Sequence, residues 1–201
     1  MSSRAFTVTW DYLCPFARNA HEHLVAGLDD GAPWDVTFVP FSLMQTHVEE
    51  GGTPVWELQE KARGVLALEA GVVVRDRFPD RFRAAHVALF GARHDEGKDL
   101  SDPEVVRGAL EAVGVPADQV FAEIQNGWPL EALRAEHEKA VSEHAVFGVP
   151  TFIADGDAVF VRFMTRPEGD GARARAVIER AVDLLCDHPE LNEFKHTKIP
   201  R

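Results

Sequence analysis

The start of the chain combines two alternating segments with one helical segment. Hydrophobic and polar residues alternate over residues 6–10 and again over 34–40, which is the two-residue period of a half-buried β-strand. A helix is predicted to begin at Pro15, since proline suits the first helical position, and to end at residues 29–31, Asp-Asp-Gly. A strand, a helix and a strand this close together form a βαβ unit, so we expect the two strands to be parallel.

From about residue 41 to residue 147, the apolar positions recur at helical spacing instead. One helix is predicted around residues 82–90, and a capping box at residues 101–104, Ser-Asp-Pro-Glu, predicts the start of a second. A short third helix is expected to end at residues 126–127, and a fourth to follow over residues 130–144. This middle part of the chain is therefore predicted to be a helical block without internal repeats.

The strand pattern returns after Pro150. Residues 151–154 predict a strand, residues 155–157 (Asp-Gly-Asp) a hairpin turn, and residues 158–161 the partner strand. A helix over residues 172–186 is expected to follow. The whole pattern predicts an α/β fold that a helical block divides into two parts.

The tail from residue 187 to residue 201 has no clear period and predicts no helix or strand. We expect it to lie over the surface, anchored by Leu191 and Phe194.

Composition and charge exclude some classes of partner. The 201 residues carry a formal net charge of −12, which disfavours a nucleic-acid surface or an anionic membrane surface. No apolar run has the length of a membrane span, and residues 1–6 lead directly into the first strand without a signal-peptide pattern. Cys14 and Cys186 are the two cysteines, too few for a disulfide framework. We therefore expect a cytoplasmic protein that binds neither nucleic acid nor membranes.

Cys14 is the strongest candidate for chemistry, because it lies between a predicted strand and the helix that begins at Pro15. The thiolate is the attacking form of a cysteine, and the N-terminus of a helix stabilises a negative charge. We expect the pKa of Cys14 to be lowered, with Arg18 leaning back toward the sulfur. Asp11 would oppose this as a like charge, accept the thiol proton, or merely end the strand. The alternatives are that Cys14 is a small packed side chain and Arg18 a solvated surface residue.

Two short motifs resemble those of one known family. Cys14-Pro15-Phe16-Ala17 is similar to the Cys-Pro-x-Cys site, and Val149-Pro150 to the cis-proline loop, of the DsbA-like branch of the thioredoxin superfamily. The branch also contains kappa-class glutathione transferases and 2-hydroxychromene-2-carboxylate isomerases. The order of the predicted elements resembles that branch along nearly the whole chain.

The resemblance implies a thioredoxin-like fold, formed by residues 1–40 and 148–201, with a helical insertion domain at residues 41–147. It implies that Cys14 is catalytic and that a bound thiol or disulfide contacts the residues around it. The backbone of the residue before the cis-proline would pair with an extended substrate. The implied thiol-binding residues are Pro15, Phe16, Arg18, Val149, Pro150 and Thr151. The sequence alone leaves open whether the Val149-Pro150 bond is cis or trans.

Ala17 stands where the family has its second cysteine, so one sulfur must carry the chemistry. We expect a thiol-disulfide oxidoreductase that uses Cys14 alone. Its co-substrate would be a low-molecular-weight thiol of the mycothiol or glutathione type, with no tightly bound cofactor. The acidic chain and residues 193–197 also resemble cytoplasmic actinobacterial members, some of which are thought to use mycothiol.

Two other functions remain open. In a thiol-dependent transferase or isomerase, Cys14 would activate a bound thiol. In a binding module, it would be a relic. Cys186 is expected to pack in the last helix, and a homodimer through the helical insertion stays open.

The remaining candidate residues favour structural roles. His21 and His23 point to different sides of a helix, and no histidine pair has metal-ligand spacing, so no metal site is expected. His86 is expected to be a hydrogen-bonded core histidine. Four aromatic residues could line a pocket above Cys14 or belong to the core; they are Trp56, Phe78, Phe82 and Phe90.

Overall fold

A four-stranded mixed sheet forms the centre of the computed structural model, which describes residues 4–193 and 195–198. The strands are β1 (Arg4–Trp10), β2 (Trp34–Pro40), β3 (Thr151–Ala154) and β4 (Asp157–Phe160). Their order is β2-β1-β3-β4. The strands β1 and β2 are parallel, which confirms the predicted βαβ unit, while β3 runs antiparallel to both β1 and β4.

Eight α-helices lie in the described part of the chain. They are α1 (Pro15–Asp29), α2 (Leu43–Thr46), α3 (Val65–Arg77), α4 (Pro79–His94), α5 (Pro103–Glu111), α6 (Ala117–Gln125), α7 (Trp128–His144) and α8 (Gly171–Asp187). The helices α1 and α8 pack against each other, and α3 packs against α4, α6 and α7. The predicted helical block between β2 and β3 is confirmed, although residues 47–64 contain only one short 3-10 turn, at Val55–Glu57.

The predicted start of α5 is wrong in detail. Asp102, not Ser101, caps the helix, and its carboxylate accepts a hydrogen bond from the N–H of Glu104 at 2.9 Å. Pro103 occupies the first helical position, so the cap is the residue directly before it.

The predicted anchoring of the tail by Leu191 is also wrong. Its side chain is 52% exposed, so it buries too little surface to hold the tail. Phe194, the other predicted anchor, lies outside the described residues.

A buried chain of hydrogen bonds joins β1, α1 and α4 beneath the C-terminal end of β1. His21 Nε2 lies 3.0 Å from the carbonyl oxygen of Thr9, His86 Nε2 lies 3.0 Å from His21 Nδ1, and the Tyr12 hydroxyl lies 2.9 Å from His86 Nδ1. A carbonyl only accepts, so His21 donates to Thr9. Burial lowers the pKa of both imidazoles and keeps them neutral, so His86 donates to His21 and Tyr12 donates to His86. The prediction of His86 as a hydrogen-bonded core histidine is confirmed.

Buried neutral histidines make the fold sensitive to acid. Burial lowers the pKa of His21 and of His137 to about 4, and that of His86 well below its ordinary value. Between pH 6.5 and 4, the unfolded chain therefore binds protons that the folded chain excludes. Burial also lowers the pKa of His23 and of His94, which makes five histidines in all. Asp11 and Glu69 act in the opposite direction, because burial raises the pKa of Asp11 to about 6 and raises that of Glu69, but they are two groups against five.

We expect the free energy of unfolding to fall as the pH is lowered from about 6.5 to about 4, by up to about 1.4 kcal/mol per pH unit for each net proton. Denaturant titrations at several pH values measure this slope. The variant His137→Gln should reduce the slope by about one proton, and its amide oxygen can still accept from the Ser42 N–H, which lies 3.2 Å from His137 Nδ1. A free energy that stays level on acidification would contradict the assignment.

Candidate functional site

Cys14 caps the first helix with its own side chain. The strand β1 ends at Trp10, a tight turn follows, and the N–H of Ala17 donates to Cys14 Sγ at 3.4 Å. Pro15 is the first helical residue, as predicted. The sulfur is consequently fixed at the N-terminus of α1, at the C-terminal end of β1, with 7% of the residue exposed.

The Val149-Pro150 loop contacts the sulfur directly. Its peptide bond is cis, and the Cys14 thiol donates to the carbonyl oxygen of Val149 at 3.3 Å. The two sequence motifs, 135 residues apart, therefore form one site. Cys14 and the Val149 backbone therefore meet, as the resemblance to the DsbA-like branch implied.

Thr151 supports this loop from behind. Its N–H donates to the Thr9 hydroxyl at 2.9 Å, and its own hydroxyl donates to the carbonyl oxygen of Gly148 at 2.8 Å. The residue is 3% exposed. Thr151 therefore fixes the loop by contacts within the protein, and its predicted role in binding a thiol stays a prediction.

Asp11 is buried beneath the site with both carboxylate oxygens occupied. Oδ1 accepts from the N–H of Leu13 at 2.9 Å, and Oδ2 accepts from the N–H of Leu43 at 2.7 Å. The residue is 1% exposed, and burial raises its pKa to about 6. Asp11 joins the turn before Cys14 to the segment after β2, so it does more than end a strand.

The expectation of a lowered pKa for Cys14 is wrong. Burial raises the pKa of the thiol, and the negative charge of Asp11 adds to this effect. The hydrogen bonds from the N–H groups of Ala17 and Phe16 and the charge of Arg162 act in the opposite direction without reversing it. Desolvation of the anion outweighs the stabilisation by the helix N-terminus, so the resting group is the protonated thiol.

The prediction that Arg18 leans toward the sulfur is wrong. Its Nε donates to Glu22 at 3.0 Å, and its other end pairs with Asp95. Glu22 is 7% exposed and also pairs with Arg166. A nearly buried carboxylate needs cationic partners, and it draws the guanidinium of Arg18 along the helix, away from Cys14.

Arg162 is the basic residue at the site that the sequence analysis missed. Its guanidinium carbon lies 5.6 Å from the ring centre of Phe16 and 5.8 Å from that of Phe160. A lone arginine after the last strand gives no signal in the sequence, since only the sheet places it beside α1.

The aromatic residues divide between the surface near the site and the core. Phe16 is half-buried, and Phe147, directly before the cis-proline loop, is 69% exposed. Phe82 and Phe90 pack around His86, so the core interpretation of these two rings is confirmed.

Cys186 is beside Arg4, at the opposite end of β1 from Cys14. A strand of this length spans about 20 Å, far beyond the reach of a disulfide.

No group of three or more potential metal ligands was found among residues 4–193 and 195–198. Within the same residues, no helix has both the length and the apolar character to cross a bilayer.

The chain is similar to several known proteins. The sequence model of the DSBA-like thioredoxin domain matches residues 76–165, which include the cis-proline loop and begin after Cys14. An uncharacterised protein of Mycobacterium tuberculosis, Rv2286c, is 26% identical over 193 residues, 95% of this chain and 81% of that protein.

Two solved structures are similar in fold. The cytosolic disulfide reductase DsbM from Pseudomonas aeruginosa, solved with GSH, has a TM-score of 0.62 and 17% identity, over 90% of this chain and 100% of that one. A thioredoxin-like oxidoreductase from Silicibacter pomeroyi has a TM-score of 0.57 and 17% identity, over 90% of this chain and 88% of that one. The predicted thioredoxin-like α/β fold with a helical insertion is confirmed.

Proposed function

We propose that this chain, which has a DsbA-like thioredoxin domain, is a thiol-disulfide oxidoreductase that works with the single sulfur of Cys14. One observation carries the proposal: the thiol is at the N-terminus of α1, 3.3 Å from the carbonyl oxygen before the cis-proline. No other cysteine is near, because Cys186 is at the far end of the sheet. An extended disulfide substrate can add its backbone to this loop beside the sulfur.

The exchange takes two steps. Cys14 first loses its thiol proton to solvent. The thiolate then attacks one sulfur of a small disulfide, forms a mixed disulfide and releases the other half as a thiolate, which takes up a proton. A second small thiol loses its proton, attacks the small-molecule sulfur of the mixed disulfide and regenerates the Cys14 thiolate. One disulfide is consumed and one is formed, so electrons balance without a further cofactor.

The raised pKa of Cys14 should slow both steps, since it lowers the thiolate fraction for the attack and makes Cys14 a poorer leaving group. A thiol with a higher pKa is a poorer leaving group, although its thiolate is a stronger nucleophile. Cys14 should therefore be released slowly from a mixed disulfide with a small thiol, so this adduct should persist once it has formed. A dithiol oxidase needs an active-site cysteine with a lowered pKa, which is a good leaving group. It also needs a resolving cysteine where this chain has Ala17.

The co-substrate we propose is a low-molecular-weight thiol of the glutathione or mycothiol type, in the cytoplasm. The chain has two cysteines, too few for a disulfide framework, which supports a reducing compartment. The similar disulfide reductase from Pseudomonas aeruginosa was solved with GSH, which supports a small thiol as partner. The net charge of −12 disfavours nucleic acid and anionic membranes.

A second candidate function is a thiol-dependent transferase or isomerase, and the protonated state of Cys14 favours it. A protonated thiol can donate a hydrogen bond to a bound thiolate, as a hydroxyl would. In that reaction, Cys14 would stabilise the partner and never form a disulfide.

Alkylation against pH, followed by intact mass, tests the proposed exchange. In a Cys186→Ser variant, which removes the half-buried second thiol, the alkylation rate of Cys14 should rise with pH to an apparent pKa above the ordinary value of about 8.5. Incubation with oxidised glutathione or oxidised mycothiol should add one thiol to the protein. A protein that alkylates normally and gains no adduct from either disulfide would contradict single-cysteine exchange.

A further inference from the structure

The charge that faces solvent beside the Cys14 sulfur is positive, in a chain with a net charge of −12. Two side-chain charges act on this thiol, those of Asp11 and Arg162. Asp11 is 1% exposed, and backbone N–H groups occupy both of its oxygens. Arg162 is exposed, so an approaching ligand meets a cation and no competing anion from Asp11.

The backbone on both sides of Arg162 is fixed. The N–H of Val161 donates to the carbonyl oxygen of Pro150 at 3.2 Å, and the side-chain amide of Asn19 donates to the carbonyl oxygen of Phe163 at 2.8 Å. Arg162 is thereby held between the cis-proline loop and α1. These two bonds fix the backbone of Arg162 next to the loop whose Val149 carbonyl contacts the sulfur.

The guanidinium of Arg162 rests on aromatic rings and keeps its donors available. The rings of Phe16 and Phe160 lie within cation–π distance of it, at 5.6 and 5.8 Å. Within residues 4–193 and 195–198, Arg162 forms no side-chain hydrogen bond and no salt bridge, whereas Arg18 and Arg166 are both paired with carboxylates. An arginine held in this way can bind a carboxylate with two parallel hydrogen bonds.

A carboxylate of this chain already comes within electrostatic reach of Arg162. The pKa of the exposed Glu193 is lowered chiefly by its partner Lys195, and the charge of Arg162 contributes. Glu193 is paired with Lys195 and not with Arg162, so it leaves the hydrogen-bond donors of Arg162 available to a ligand.

We propose that Arg162 makes the Cys14 site selective for small thiols and disulfides that carry a carboxylate near their sulfur. This inference rests on the proposed function and narrows its substrate class. Glutathione has two carboxylates and a net negative charge, whereas mycothiol has no carboxylate. The arrangement therefore favours a glutathione-like partner over a neutral sugar thiol or an amine-bearing thiol.

A pair of alkylating agents tests the selectivity without requiring disulfide exchange. The experiment uses the Cys186→Ser background. The rate constant of Cys14 with iodoacetate, an anion, is divided by its rate constant with iodoacetamide, the neutral analogue. This ratio of anionic to neutral reagent reports the charge at the sulfur. In Arg162→Gln, this ratio should fall about three- to fivefold at low salt, and the difference should shrink as the salt concentration rises.

Arg180→Gln is the matched control, since Arg180 is exposed on α8 and forms no salt bridge within the described residues. Its ratio should equal that of the unsubstituted protein. An Arg162→Gln ratio equal to the control would overturn the inference.

A disulfide series then identifies the class of partner. Oxidised glutathione should form the Cys14 adduct faster than hydroxyethyl disulfide, oxidised mycothiol or cystamine, and Arg162→Gln should reduce this preference about three- to fivefold. A preference that is absent, or that Arg162→Gln leaves unchanged, overturns the inference. If no disulfide adds to Cys14 at all, the proposed exchange fails, while the alkylation ratio still decides whether Arg162 selects for anions.

Discussion

Cys14→Ser should abolish the thiol adduct and reduce the rate of disulfide exchange by about 10³-fold or more, because a neutral hydroxyl has no comparable nucleophilicity. The fold should remain intact, since serine is among the strongest N-cap residues and its oxygen can accept from the Ala17 N–H, as the sulfur does. Intact mass after incubation with oxidised glutathione measures the adduct, and circular dichroism confirms the fold. Cys186→Ser, the matched control, should keep the adduct.

The same variant separates the two candidate functions. If Cys14 only donates a hydrogen bond to a bound thiolate, a serine hydroxyl can do the same, and transferase or isomerase activity should survive in Cys14→Ser. If Cys14 exchanges disulfides, the Cys14→Ser variant should lose the activity of the protein. An adduct that persists in Cys14→Ser would place the reactive sulfur at Cys186 and contradict the proposed site.

Ala17→Cys provides the complementary test. Residues at helix positions i and i+3 are close enough for a disulfide, and the Ala17 N–H already contacts Cys14 Sγ at 3.4 Å. The variant should form an intramolecular disulfide and should accumulate less of the small-thiol adduct, because the new thiol resolves it. A mixed disulfide that accumulates unchanged would mean that the two side chains do not meet.

The elements around the site could be predicted because their signals are local. Pro15 marks the helix start, the alternation over residues 34–40 marks a strand, and residues 155–157 mark the hairpin turn. Each depends on backbone preferences of neighbouring residues. The partnership of Cys14 with Val149 could not be derived in this way, because 135 residues separate them; the resemblance to a family supplied it.

The electrostatics of the site could not be read from the sequence. The N-cap position of Cys14 is a local signal for a lowered pKa, but the burial that raises this pKa arises from tertiary packing. Arg18 is one helical turn from the sulfur, yet its guanidinium forms salt bridges with Glu22 and Asp95 instead. Arg162 reaches the site only through the β3–β4 hairpin. Sequence position therefore indicated the neighbours of the thiol along the chain, whereas tertiary packing decided which charged groups act on it.

Gly71 in α3 is a position where a single added methyl group should destabilise the core. A Cβ atom there would lie 2.5 Å from the Tyr12 hydroxyl oxygen, closer than any real contact of this kind. Tyr12 cannot move aside, because it is fully buried between Trp10 and Phe90 and its hydroxyl is bonded to His86.

Gly71→Ala should therefore lower the free energy of unfolding by about 2–3 kcal/mol, although alanine is the better helix former. Denaturant titration measures the change. The control Gly108→Ala, in α5 with no heavy atom within 4 Å of the new Cβ, should be stabilising by about 0.5–1 kcal/mol. Gly71→Ala as stable as this control would contradict the close packing of Tyr12.

A double-mutant cycle tests whether the Tyr12 hydroxyl is the cause. Tyr12→Phe alone should cost about 1–3 kcal/mol, because it leaves His86 Nδ1 buried without a donor. In the Gly71→Ala background, the same change also removes the atom that the new methyl group strikes, so it should cost clearly less. Strict additivity would locate the strain elsewhere. Since Tyr12 is two residues before Cys14, the alkylation rate of each variant shows how far the packing beneath the turn positions the sulfur above it.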